Sequence, residues 1–160
     1  MTARFIKTPN PYEEAAALLV RESGVTIRKY RKAMTGIAYV NDEDWGIEAP
    51  EPRGPVSFAV FAHEVGHQLL HRTRNRPRWQ EEIEAWEYAI HQFDRLGLDG
   101  RGLAFSRAAL GVRWAIVKAL KRSPRRDALA ADIIRQHPQW EFCVTYAEHL
   151  LTIRAEFSTA

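Results

Sequence analysis

The segment Phe61-Ala-His63-Glu64-Val65-Gly66-His67-Gln68-Leu69-Leu70-His71 constrains this chain more than any other stretch of its 160 residues. His63 and His67 stand four apart in an apolar run, and a helix places such a pair on one face with Cβ atoms about 6 Å apart. Both imidazoles then converge on one ion whose bonds are about 2 Å long, a spacing that suits zinc. Glu64 projects roughly 100° around the same helix, where a carboxylate can take a proton from an activated water without binding the ion itself. Gly66 keeps the neighbouring turn free of bulk. With 6 histidines in the chain, one His-Glu-x-x-His match is roughly a 2 per cent event by composition alone. His63, Glu64, His67, Gln68 and His71 are also a poor filling for an ordinary core.

Three protein ligands and an open position make a hydrolytic zinc site, whereas four protein ligands make a structural one. His71 lies about 12 Å along the helix axis from His63, too far to share the ion, and reads as a polar contact near the helix C-terminus. The following helix carries an inward stripe of Trp79, Ile83, Trp86, Ile90 and Phe93. By helical-wheel arithmetic Glu82 lies about 60° from the centre of that stripe, Glu87 about 80°, and Glu81 and Glu84 about 140° or more. Glu82 is therefore the expected third ligand if the two helices pack antiparallel, with Glu84 as the alternative. The other acids of this helix are expected in solvent. Neither Tyr88 nor His91 aims at the ion.

The rest of the chain frames this pair of helices. Asn10 and Pro11 read as a helix start and Gly24 as its end. Residues 25–40 predict two or three short strands, and residues 41–55 an acidic, proline-rich loop with an edge strand near 45–47. Beyond Pro55 everything reads as helix, with segments ending near Gly97, near Arg122 and at Gln136, and a last one over about 138–157. The expected fold is α+β, one domain with a small N-terminal sheet packed on a helical core (about 1–97) and a helical C-terminal extension (about 98–160). A single cysteine, Cys143, excludes an internal disulfide framework, reads as a buried thiol, and fits a reducing cytoplasm. The first residues hold no apolar signal core, and the longest uncharged apolar stretch, 54–62, is far short of the roughly 20 residues a spanning helix requires, so no membrane role is expected.

The run Ala62-His-Glu-Val-Gly-His67-Gln-Leu-Leu-His71, followed by Glu82-Ile-Glu-Ala85-Trp-Glu-Tyr88-Ala89, resembles the ImmA/IrrE-type metallopeptidases, a gluzincin-like group. The resemblance covers about residues 36–96. It implies a zinc cofactor held by His63, His67 and Glu82, with Glu64 as the catalytic base. It also implies a protein substrate in a bacterial or phage cytoplasm, such as a DNA-bound repressor. Trp86 departs from the pattern, standing where the group usually has a small polar residue. The expected activity is zinc-dependent endopeptidase, with the strand near 36–40 offering an edge to substrate. The alternative is a regulatory binding protein in which zinc pins two helices while a basic helical tail engages DNA or a protein partner.

That tail is informative. Residues 100–126 carry Arg101, Arg107, Arg113, Lys118, Lys121, Arg122, Arg125 and Arg126 and no acid. A helix continued to Arg125 groups Arg107, Lys118, Lys121, Arg122 and Arg125 within about 60°, opposite Val112, Ile116, Val117 and Leu120, with Trp114 at the edge. The ordinary reading is a solvated face; direct nucleic-acid binding is possible and not favoured, since the net charge is only +3. Arg113 points to the apolar side and is expected to pair with a carboxylate. A second run, Arg72, Arg74, Arg76 and Arg78, is read as a solvated turn or as a grip on a substrate carboxylate.

Overall fold

Asn10 caps the first helix, α1 (Pro11–Ser23), by accepting from the backbone N–H of Tyr12 at 2.9 Å and of Glu13 at 3.4 Å, and Gly24 ends it. The computed structural model of the chain describes residues 8–41, 45–71 and 75–159. After α1 come three strands, β1 (Ile27–Arg31), β2 (Ile37–Val40) and β3 (Trp45–Pro50). Then follow α2 (Pro55–Leu70), α3 (Arg78–Leu96), α4 (Arg101–Arg122), α5 (Arg126–Gln136), a 3-10 turn at Pro138–Trp140, and α6 (Glu141–Thr159). The fold is α+β and mostly helical, as expected. Among the described residues, no helix is long and apolar enough to cross a membrane.

The strand expected at an edge is the central one. The sheet order is β1-β3-β2, with β3 parallel to β1 and antiparallel to β2, and Ile47 faces both Ile27 and Ala38. Ile47 and Ala49 are fully buried, so their apolar side draws β3 into the middle while its prolines gather at and beyond the strand's end. Acidic flanking residues concealed that pattern in the sequence. Asp42, Glu43 and Asp44 of the expected acidic loop lie outside the described residues.

Helix α2 is the axis of the molecule. Residues 57–68 are all buried, between the sheet and α1 on one side and α3 and α4 on the other. Ala85 and Tyr88 of α3 lie against Gly66, so the two helices approach closely where the glycine leaves room. Gln68, also buried, donates from Nε2 to the carbonyl of Tyr39 and ties β2 to the helix.

Residues 98–160 are not an appendage. The turn 97–100 sends α4 back along α3, α4 also packs on α2, and buried side chains from α1 to α6 form one cluster. Val112, Ile116, Val117 and Leu120 are buried as their spacing requires, but α4 stops at Arg122 and does not continue to Arg125. Arg113 meets no carboxylate among the described residues: its buried Nε has no partner, and its guanidinium lies over Phe142 and Tyr146, at 5.7 and 5.1 Å from the ring centres. Aromatic faces substitute for the expected acid there, because a ring quadrupole also attracts a cation. Glu87 is likewise not simply solvated: it accepts from Trp140 Nε1 at 3.0 Å and lies 3.1 Å from His137 Nδ1, fastening the 3-10 turn to α3. Cys143 is a buried thiol, and burial raises its pKa.

Candidate metal centre

Helices α2 and α3 bring three donors together at one point. His63 Nε2 and His67 Nε2 are 3.1 Å apart, and the two oxygens of Glu82 lie 3.3 Å from His63 Nε2 and 3.4 Å from His67 Nε2. Donors on a tetrahedron with bonds of 2.0–2.1 Å sit about 3.3–3.4 Å from one another, and each of these separations, taken to a different Glu82 oxygen for each histidine, is close to that size. The donor types, two imidazoles and one carboxylate, match as well. Among the described residues, no fourth side chain joins the group. The triad opens on a cleft of about 530 Å³, which Glu64 also lines.

Burial drives the His63 pKa down to about 4, outweighing the nearby Glu82, so its ring is neutral. Burial alone would raise the Glu82 carboxyl, but hydrogen bonds from the two histidines outweigh it and hold the group ionised. Glu64 is pushed up to about 8, by burial first and by the Glu82 charge second. A cation at the triad would attract the Glu64 charge and bring its proton affinity back toward neutrality. Gly36, just before β2, is packed on this carboxylate: a Cβ there would come within 2.4 Å of Glu64 Cγ. Glu64 is thus held from the sheet side, a contact with no signature in the local sequence.

Behind the triad the two histidines are treated differently. If His67 turns its Nε2 lone pair to the cleft, its Nδ1 carries the proton, 3.0 Å from His71 Nδ1. His71 Nε2 then donates to Glu84, at 3.1 Å, and Glu84 is anchored in turn by Arg76 and Gln80. His71 is therefore no ligand, in keeping with its distance along the helix, yet it is buried and does more than cap α2. Glu84, the alternative ligand, sits outside the triad and supports it through His71. Its expected solvation fails for that reason, and Glu81 fails it too, being buried beside Arg78. His63 has no such support: its Nδ1 is buried without a hydrogen-bond partner, and Trp86 stacks on its ring at 4.0 Å and 26°. Trp86 thus gives the His63 ring a flat apolar contact where His67 has a hydrogen-bond partner.

Arg78 reaches Glu82 Oε1 at 2.8 Å and Arg76 pairs with Glu84, so the described part of the basic turn is exposed, as a solvated turn would be, and also paired with acids at the site; Arg72 and Arg74 lie outside the described residues. Neither Tyr88 nor His91 lines the cleft. The basic stripe of α4 is exposed at Lys118, Lys121 and Arg122, as expected of a solvated face, and Lys118 and Arg122 also line the cleft together with Arg107 and Trp114. Gly111 makes this possible, since a Cβ there would lie 2.2 Å from Trp86 Nε1, so α4 can press directly on the tryptophan. Arg107 sits 5.0 Å over that same indole and donates to the carbonyl of Met34 at 3.2 Å, bridging α4 to the loop before Gly36. No known protein family, characterised protein or solved structure matches this chain.

Proposed function

We propose that the protein is a zinc-dependent endopeptidase acting on a protein substrate, such as a repressor, in a bacterial or phage cytoplasm. The observation that carries this reading is the three-donor triad opening on a cleft that Glu64 shares. His63, His67 and Glu82 would hold the ion, leaving a position on the cleft side. A zinc ion bound there supplies Lewis acidity, which polarises an amide carbonyl and makes water nucleophilic near neutral pH. Glu64 takes the proton of the attacking water as its oxygen bonds to the carbonyl carbon. It then delivers that proton to the amine nitrogen as the C–N bond breaks. Glu82, held by Arg78, and His67, held through His71 by Glu84, keep the donors oriented. The resemblance of the His63–Ala89 motifs to ImmA/IrrE-type peptidases would give these four residues the same roles. A purely structural zinc ordinarily has four protein ligands, and no fourth stands here among the described residues, which favours catalysis over the binding-protein alternative.

Glu64→Gln tests the base. The variant should bind zinc at the same stoichiometry by atomic absorption and hydrolyse peptides about 100–10,000-fold more slowly. Unchanged proteolysis with intact zinc content would refute the assignment.

A further inference from the structure

Two cations in the cleft have no partner of their own. Arg78 is engaged by Glu82, and Arg107 by Met34 and the Trp86 ring. Lys118 and Arg122 line the same cleft, and among the described residues no carboxylate comes within ion-pair distance of either. Residues 100–126 contain no acid, so α4 itself does not neutralise them. Ala115 and Ala119 line the same wall, with Trp114 at the rim, 65% exposed. The contact of Gly111 with Trp86 sets α4 antiparallel to α3, so Ala115 comes near the level of Glu82, one turn before Trp86. Lys118 and Arg122 then follow about 5 and 10 Å further along the helix, a reach of about one to three residues of extended peptide.

We infer that α4 is the selecting wall of the cleft, and that the peptides accepted carry aspartate or glutamate about one to three residues from the scissile bond, held by Lys118 and Arg122. The inference rests on the peptidase reading and adds a substrate class to it. A peptide fits better than a nucleic acid because Lys118 and Arg122 are only two charges, too few to track a continuous phosphate backbone. A peptide places its charge only where its acidic side chains fall.

The test uses the full chain as zinc-loaded Glu64→Gln, titrated against a fluorescein-labelled peptide bearing a short run of glutamates and against its glutamine and lysine counterparts. Anisotropy should show the glutamate peptide binding about tenfold tighter than the glutamine peptide. Adding Lys118→Glu and Arg122→Glu should abolish that preference and turn it toward lysine. Adding Lys121→Glu and Arg125→Glu instead, at positions outside the cleft, should leave it intact. Thermal melts of these exposed-residue variants check that each remains folded. Equal affinity for all three peptides, or a preference that survives the Lys118 and Arg122 changes, would overturn the inference. So would a single-stranded oligonucleotide that displaces the glutamate peptide and binds more tightly. Digestion of a mixed peptide library by the unsubstituted protein separates the two readings. Cleavage without enrichment of acids near the cut ends the inference and spares the peptidase; acid-selective binding with no cleavage does the reverse.

Discussion

Glu84 touches neither the triad nor the cleft, yet it should govern how tightly the triad holds zinc. Its carboxylate orients His71, which orients His67, and outer partners of this kind are typically worth about 10–100-fold in metal affinity. Glu84→Gln and His71→Ala should each weaken zinc binding by about that factor in a chelator competition, with the fold retained. An unchanged affinity would show that the chain from Glu84 to His67 is structural only. His63 offers the contrast within the same site, because its buried Nδ1 meets no hydrogen-bond partner and its ring is oriented by the Trp86 face.

At the scale of elements, the close approach of α4 to α3 depends on an absent side chain. Gly111→Ala would set a methyl group 2.2 Å from Trp86 Nε1. Overpacking of this sort costs about 1–3 kcal/mol, which should appear as a lowered midpoint in chemical denaturation. Since Trp86 stacks on His63, zinc affinity should fall in the same variant. A substitution without effect on either quantity would mean that α4 can move away from α3 freely. Helix α2 shows how far local spacing carries: His63 and His67 share a face because both lie on one helix, whatever surrounds it. Helix α4 shows the limit, because its wheel separates basic from apolar residues correctly but does not say that the basic side looks into a cleft.

For the whole molecule, the triad joins two helices whose ligands are 19 residues apart in the chain, His63 and Glu82, so an ion held there binds the folded state and little of the unfolded one. Zinc at about 100 times its dissociation constant should add about 2.7 kcal/mol of stability, or about 5–10 °C in melting temperature for a chain of this size. Scanning calorimetry with zinc, after a chelator, and with zinc restored reads this directly. His63→Ala should lose the response. If the unsubstituted protein melts at the same temperature throughout, the triad does not hold the ion.

The sequence by itself determined the helix of His63, Glu64 and His67, the inward stripe of α3 with Glu82 at its border, and the caps at Asn10 and Gly97. These follow from interactions within four residues of one another, which a chain encodes without reference to the rest of itself. Tertiary structure alone decided that β3 lies in the middle of the sheet, that Glu84 reaches His71, that Gly36 bears on Glu64, and that Lys118 and Arg122 face the cleft. Each of those depends on which face of one element meets which face of another. A helical wheel gives directions around a single axis, and only the packing of several axes turns a direction into a contact.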